Sequence, residues 1–117
     1  MTLVAENIFG VSLVTMPSKL VMANADIWRA QIKSLIDAGN HQLILDLSEV
    51  AFVDSSGLSV LVFALRCVRT SEGDVVLLNP SQNVLSLIEL TRLHEVFEIF
   101  IDRNSAIQRM VVLGQLA

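Results

Sequence analysis

Residues 43–58, Leu-Ile-Leu-Asp-Leu-Ser-Glu-Val-Ala-Phe-Val-Asp-Ser-Ser-Gly-Leu, decide how this chain folds. The apolar run 43–47 predicts a central strand covered on one or both faces. The apolar-periodic run 58–68 predicts a helix with one buried side. Between them lies a short polar segment, Asp54–Gly57, named here the serine turn. Loops at the carboxyl ends of strands often hold binding groups on a rigid base, so the serine turn is the first candidate site.

Outward from this stretch, strand and helix patterns alternate. Strands are predicted at about 3–9, 11–16, 41–47, 75–78 and 96–101, with a tight antiparallel hairpin at Gly10. Helices are predicted at about 25–38, 55–70, 82–90 and 103–113, with Asn24, Ser81 and Asp102 as N-caps and Gly39 and Gly114 past two of the ends. The pattern predicts an α/β fold: a mixed, mostly parallel sheet with an antiparallel N-terminal strand and about four helices packed against it.

Length and composition fit one domain over residues 1–117 with a large core. Apolar residues make up 53% of the chain and charged residues 17%, which excludes a disordered protein. The most apolar helical stretch, 58–65, contains Ser59 and ends at Arg66, whereas a membrane-spanning helix needs about 20 apolar residues. The first residues carry no basic segment, so neither a signal peptide nor a membrane protein is expected.

The charge distribution argues against nucleic acid as a partner. The net charge is −4 and aromatic residues make up 5% of the chain, and Lys and Arg do not cluster as phosphate binding requires. The single cysteine, Cys67, is expected to be a small buried hydrophobe in a reducing compartment, and Trp28 is expected to anchor the core. These features indicate a cytoplasmic protein with a protein partner.

The serine turn suits an anion. Ser55 and Ser56 stand at a predicted helix N-terminus, where free N–H groups and the helix dipole favour negative charge. A phosphate could be bound there or attached covalently to a serine. Equally, Ser55 could simply be the N-cap, with Asp54 as a second capping or turn residue. The residues alone leave both interpretations open.

Catalysis by this chain alone is disfavoured. A nucleophilic serine needs a base and an oxyanion hole, but His41 and His94 are the only histidines, and no Gly-x-Ser-x-Gly elbow surrounds either serine. Asp54 lacks the acidic pair and lysine of a receiver-type phosphoacceptor, and neither a Gly-rich phosphate loop nor metal-ligand spacing is present. We therefore expect no enzyme activity, metal or cofactor. A small serine hydrolase is the alternative from a different class.

Phe63 is the odd residue on the helix after the serine turn. It falls on a polar stripe with Ser59, Arg66 and Thr70. It can be a scattered surface apolar residue, which is common, or a partner contact.

Residues 43–58 also resemble the signature of the STAS domain, in its anti-sigma-factor antagonist branch. Three later segments agree with this resemblance: Val-Leu-Leu-Asn-Pro-Ser at 76–81, Leu-Thr-x-Leu at 90–93 and Val-Phe-Glu-Ile-Phe at 96–100. The resemblance covers nearly the whole chain with the expected spacing.

The resemblance implies a STAS-type single domain that works by partner switching in the bacterial cytoplasm, as a monomer or weak dimer. The unphosphorylated protein would bind an anti-sigma factor that is also a serine kinase, and so release a sigma factor. The kinase would phosphorylate Ser55 and break the complex, and a serine phosphatase would reset it. The remaining residues implied to shape the phosphorylation loop or bind the partner are Asp54, Ser56, Gly57, Ser59 and Phe63. A same-fold alternative is a scaffold or regulatory subunit of a transporter or sensory complex without serine phosphorylation.

Two positions depart from the family pattern. Many relatives carry Gly-x-Leu-Asp before the first helix, whereas Val21 stands at the aspartate position here, with Asn24 or Asp26 as possible substitutes. Arg92 stands where relatives often have glycine in Leu-Thr-Gly-Leu. Both changes bear on which partner the protein binds.

Overall fold

The computed structural model describes residues 3–116. The elements in chain order are β1 (Val4–Ile8), β2 (Val11–Thr15), β3 (Lys19–Leu20), α1 (Met22–Asp37), β4 (Gln42–Asp46), β5 (Phe52–Val53), α2 (Ser55–Arg69), β6 (Asp74–Leu78), α3 (Gln82–Leu90), a 3₁₀ helix (Leu93–Glu95), β7 (Ile99–Phe100) and α4 (Arg103–Leu116).

The main sheet has five strands in the order β1-β2-β4-β6-β7. β1 pairs antiparallel with β2, and the other three pairings are parallel. The predicted fold class, a mixed and mostly parallel sheet with an antiparallel N-terminal strand and four helices, is therefore confirmed. The hairpin turns through Phe9 and Gly10, both with positive φ, which matches the strand twist.

Alternation along the central strands divides the core between the two faces of the sheet. Leu43 and Leu45 of β4 join the larger cluster, which includes side chains of α1, α2 and α3, whereas Ile44 joins a smaller cluster that includes side chains of α4. β2 and β6 alternate in the same way, as side chains in a strand must. Trp28 is only 2% exposed and belongs to the larger cluster, so its predicted role as a core anchor is confirmed.

Two helix boundaries differ from the prediction. α1 begins at Met22 rather than near Ala25, so Asn24 is not its N-cap. The N–H of Met22 donates to the Asp54 carboxylate, and the N–H of Asn24 donates to the carbonyl of Val21. α4 continues through Gly114 to Leu116. Glycine is only mildly unfavourable inside a helix, and Gly114 does not have the positive φ of a glycine that ends one. The predicted caps Ser81 and Asp102 do accept N–H groups of their helices.

The strand after the 3₁₀ helix is shorter than predicted, and the segments before the serine turn contain two further short strands. The predicted strand 96–101 reduces to Ile99–Phe100, because the 3₁₀ helix precedes it. β3 and β5, two residues each, form a separate parallel pair that the sequence pattern did not predict. Arg92 has a left-handed backbone, with φ of 61°, a conformation that glycine adopts without steric cost.

Candidate functional site

The serine turn lies where β5 ends and α2 begins. Asp54 is the N-cap of α2: its carboxylate accepts the N–H of Gly57 at 2.9 Å, and its carbonyl accepts the N–H of Leu58 at 3.0 Å. Ser55 is therefore the first helical residue and not the cap. The suggestion that Ser55 serves only as an N-cap is wrong, because Asp54 already satisfies that role.

Asp54 also joins the starts of two helices. Its second carboxylate oxygen accepts the N–H of Met22, the first residue of α1, at 3.1 Å. The N–H of Gly57, and to a smaller extent those of Met22 and Ser56, hold the pKa of Asp54 below its ordinary value of 3.8, since hydrogen bonds to the charged form favour it. Asp54 is thus a fixed negative charge beside Ser55 at neutral pH.

The start of α1 shows how the chain manages without an aspartate at position 21. The N–H of Val21 donates to the side-chain oxygen of Asn24 at 2.9 Å, and the Asn24 amide donates to the carbonyl of Lys19 at 2.8 Å. Asn24, within α1, therefore holds the loop at residues 19–21 by hydrogen bonds. Asp54, at the start of α2, accepts the first N–H of α1. Of the two possible substitutes, Asn24 lies in this hydrogen-bond network, whereas Asp26 is an exposed partner of Arg29.

Ser55 is exposed, and Ser56 is half-buried. Among residues 3–116 neither side-chain hydroxyl takes part in a hydrogen bond, whereas Ser59 and Ser81 both do. The Ser55 hydroxyl therefore faces solvent on a backbone that Asp54 holds in place. The positive end of α2 lies beside it, so a phosphate on this hydroxyl suits the helix electrostatically.

Gly57 is required by close packing. A Cβ at this position would lie 1.9 Å from the carbonyl oxygen of Leu20 and 2.6 Å from a methyl group of Val53. The unpredicted β3–β5 pair therefore presses directly on the first turn of α2. The φ of Gly57 is not positive, so its role is to admit a neighbouring backbone rather than to permit a special turn.

Arg29 of α1 makes a cross-helix contact with α2. Its guanidinium donates to the hydroxyl of Ser59 and to the carboxylate of Asp26. Ser59 in turn donates to the carbonyl of Ser56 at 2.6 Å. The four-residue spacing of Ser55 and Ser59 was a usable signal for their shared face, but the sequence does not show which helix packs there.

Phe63 lies two helical turns beyond Ser55, a distance of about 12 Å along the axis at 1.5 Å per residue. Its ring is half-buried and lines an open cleft of about 510 Å³ between α1 and α2, together with Lys33, His41 and Cys67. Phe63, which the sequence offers as a possible partner contact, thus lies at the end of the α1–α2 pair away from the serine turn. Cys67 is partly exposed on that cleft rather than fully buried.

Neither histidine is joined to the serine turn. His41 lies before β4, at the end of the sheet away from the serine turn, and His94 is exposed in the 3₁₀ helix. Within the part of the chain that the structure describes, no hydrogen bond links either imidazole to Ser55 or Ser56, and no group of three His, Cys, Asp or Glu side chains could hold a metal ion. Within residues 3–116, no histidine is therefore hydrogen-bonded to either serine hydroxyl of the serine turn.

Two exposed apolar side chains flank the serine turn. Met22 is 77% exposed and Phe52 is 59% exposed. Met22 donates its N–H to Asp54, and Phe52 is two residues before Asp54. Exposed large apolar residues beside a polar site are a feature of protein-binding surfaces.

Comparison with known proteins gives one family match, that of the STAS domain, over residues 2–106. The anti-sigma-B factor antagonist of Bacillus subtilis is 25% identical over 95 residues, which cover 81% of this chain and 86% of that protein. No helix among residues 3–116 is long and apolar enough to cross a membrane.

Two solved structures show the range of proteins that share this fold. The crystal structure of the Thermotoga maritima protein TM1081 superposes with a TM-score of 0.86 at 25% identity, covering 92% of this chain and 93% of that one. The murine anion transporter Slc26a9 matches with a TM-score of 0.74 at 27% identity, covering 90% of this chain but only 18% of the transporter. The fold therefore occurs both as nearly the whole of a small protein and as a small part of a large one.

Proposed function

The chain belongs to the STAS domain family, and from that premise we propose that residues 1–117 act as a single-domain anti-sigma-factor antagonist in the bacterial cytoplasm. In its unphosphorylated form it binds an anti-sigma factor that is also a serine kinase, and so frees a sigma factor. Phosphorylation of Ser55 by that kinase ends the complex, and a serine phosphatase restores it.

One observation carries this proposal: the exposed Ser55 hydroxyl has no hydrogen-bond partner among the described residues, yet lies on a backbone fixed by Asp54. A kinase needs an accessible hydroxyl, and a partner needs a surface of constant shape. Met22 and Phe52 provide apolar contact area on either side of it. Ser56 and Gly57 complete the turn, and Ser59 follows one helical turn later.

The physical basis of the switch is electrostatic. A phosphate adds about −1.5 to −2 charges at neutral pH. At the start of α2 the helix dipole tolerates this charge, so the fold is retained. Against a bound partner the same charge, beside the ionised Asp54, must be desolvated and repels any acidic group opposite. The free energy of binding changes while the shape of the domain stays nearly constant.

The chain is the substrate in this scheme and not an enzyme. The serine turn lacks a hydrogen-bonded histidine within the described residues, so Ser55 is not activated as a nucleophile by this protein. The kinase supplies the base that takes the Ser55 proton and binds the ATP, whose γ-phosphoryl group is transferred to the Ser55 oxygen while ADP leaves.

Phosphate mapping tests the proposal. The purified protein is incubated with its cognate kinase and ATP, and the modified residue is located by mass spectrometry. We expect one phosphate, on Ser55, and none after Ser55→Ala. Ser71→Ala, an exposed serine at the opposite end of α2, is the matched control and should still be phosphorylated. Phosphate on any other residue would refute the assignment of Ser55.

The likeness to Slc26a9 favours one second candidate, a STAS module that regulates a transporter without phosphorylation. In that case the partner would be a membrane protein, and Ser55→Asp would leave partner binding unchanged. A loss of binding in Ser55→Asp supports the first proposal over the second.

A further inference from the structure

The contact between Arg29 and Ser59 lies one helical turn from the proposed phosphoacceptor. We propose that Arg29 is a built-in receptor for the phosphate on Ser55: once Ser55 is modified, the guanidinium exchanges its bond to Asp26 for bonds to the phosphate and holds the phosphate against α1. This inference rests on the proposed phosphorylation of Ser55 and assigns a role to a residue of the neighbouring helix.

The geometry places the guanidinium within reach. Ser55 and Ser59 are four residues apart on α2, so their Cβ atoms are separated by about 5–6 Å on one face of the helix. Arg29 already donates to the Ser59 hydroxyl from α1. Side chains on a helix lean toward its N-terminus, and Asp54 accepts an N–H group from the first turn of each helix. The guanidinium therefore already points toward the end of the helix pair where Ser55 lies.

The present partners of Arg29 are weak ones. Asp26 is 97% exposed, so its ion pair with Arg29 is well solvated, and such surface pairs contribute little. The other partner, Ser59, is a neutral hydroxyl. A phosphate dianion accepts two parallel bonds from the planar guanidinium, and charge-assisted bonds of this kind are the stronger ones. Five N–H donors also allow Arg29 to keep its bond to Ser59 while it binds the phosphate.

The local charges explain why such a receptor is useful. The phosphate would lie beside Asp54, which is ionised and bound to backbone N–H groups, and near Asp26 on α1. A second cation at this end is Lys19, which is exposed on β3. Arg29 offsets the repulsion from the two carboxylates, so the modified serine stays in place on the folded domain instead of opening the first turn of α2.

The test uses the full chain with phosphoserine genetically encoded at position 55, so that no kinase is needed. The second ionisation of the phosphate, ordinarily near pH 6, is followed by ³¹P NMR across a pH titration. A cation that binds the phosphate favours its dianion and lowers this pKa. We expect Arg29→Gln to raise the phosphate pKa by several tenths of a pH unit, and Arg29→Lys to raise it by less.

Three variants serve as controls. Lys33→Gln removes the same charge one turn further along α1, and Lys19→Gln removes the other nearby cation; neither should move the phosphate pKa as far as Arg29→Gln does. Ser59→Ala removes the present partner of Arg29 but keeps the guanidinium, so the phosphate pKa should stay low. Thermal melts verify that every variant is folded.

Equal phosphate pKa values in the parent and in Arg29→Gln would overturn the proposal, as would a larger shift in Lys19→Gln or an equal shift in Ser59→Ala. These results are independent of the proposed function. If no kinase modifies Ser55, phosphate mapping fails while the titration still reports on Arg29. If Ser55 is modified but the titration is insensitive to Arg29, only the receptor role is lost.

Discussion

The two ends of the helix pair α1 and α2 are built differently. At the near end, where both helices begin, one carboxylate binds the N–H groups of Met22 and Gly57, and a glycine admits the backbone of Leu20. At the far end, long side chains such as Lys33, Phe63 and Arg66 surround an open cleft of about 510 Å³.

This difference separates what each end can do. Backbone bonds and a glycine contact leave almost no freedom at the near end, so an added group at Ser55 changes surface charge without changing shape. Side chains around an open cleft can change rotamers at little cost, so the far end tolerates substitution. The proposed switch therefore belongs at the near end.

The largest expected effect is that of Gly57→Ala. Its Cβ would lie 1.9 Å from the Leu20 carbonyl oxygen, and either β3 or the first turn of α2 must move. Overpacking of this kind costs about 1–3 kcal/mol and occasionally more, and we expect at least the upper value because the obstacle is backbone. Urea denaturation measures the change in the free energy of unfolding.

Gly114→Ala in α4 is the matched control for Gly57→Ala. Its nearest neighbour would be a side-chain carbon of Gln42 at 3.5 Å, an ordinary contact, and alanine is the better helix former by about 1 kcal/mol. Gly114→Ala should be neutral or stabilising. Comparable losses in the free energy of unfolding of both variants would mean that Gly57 is packed no more tightly than Gly114.

Ser55→Asp should have the next largest effect, on binding rather than on stability. A carboxylate at the first helical position suits the dipole, so the melting temperature should stay within a few degrees of the parent. The charge beside Asp54 should weaken binding of the anti-sigma partner at least tenfold, measured by calorimetry. Ser55→Ala should bind as the parent does and resist the kinase. A variant that loses stability and binding together would show a structural role for Ser55.

Asp54→Asn tests the carboxylate that links the two helix starts. We expect a melting temperature several degrees lower at pH 7, because the amide binds the two N–H groups less strongly than a carboxylate does. The pKa of Asp54 is lowered in the fold, so its contribution is present above the ordinary carboxyl value of 3.8 and is lost as the pH falls below it. The parent and variant melting curves should therefore converge in acid.

Asp37→Asn is the control for Asp54→Asn, since Asp37 is an exposed partner of Lys33 at the far end. Exposed ion pairs of this kind contribute little to stability, so the melting temperature of Asp37→Asn should hardly differ from that of the parent. A difference between Asp54→Asn and the parent that persists at low pH would contradict the role given to the Asp54 charge.

Phe63→Leu should have the smallest effect and tests whether the far end also contacts the partner. Leucine keeps most of the apolar packing of this half-buried ring, so stability should change by less than about 1 kcal/mol. If Phe63 contacts the partner, affinity should fall about threefold, well short of the effect of Ser55→Asp. Loss of stability with unchanged affinity would assign Phe63 to the core alone.

The sequence predicted the features that depend on periodic burial. The apolar runs of β4 and β6 predicted central strands, the apolar face of α2 predicted a helix, and together they placed the serine turn between strand and helix. These patterns are local, because each residue's burial follows from its place in one element.

The misses depend on contacts between segments distant in the chain. Two-residue strands such as β3 carry too few side chains to show a period. Asp54 rather than Ser55 caps α2, and the same carboxylate also binds Met22, 32 residues away, a contact that no local pattern shows. The contact of Arg29 with Ser59, 30 residues away, is another that nothing local in the sequence indicates. The site is thus located by its local pattern, but its hydrogen bonds are set by tertiary structure.

The most direct test of the central claim compares the affinity of one partner for two forms of one protein. The anti-sigma factor is titrated by calorimetry into unphosphorylated protein and into protein carrying phosphoserine at position 55. We predict tight binding of the first form, at least a hundredfold weaker binding of the second, and folded protein in both cases by circular dichroism. Equal affinity for the two forms would contradict the proposal that Ser55 is the switch.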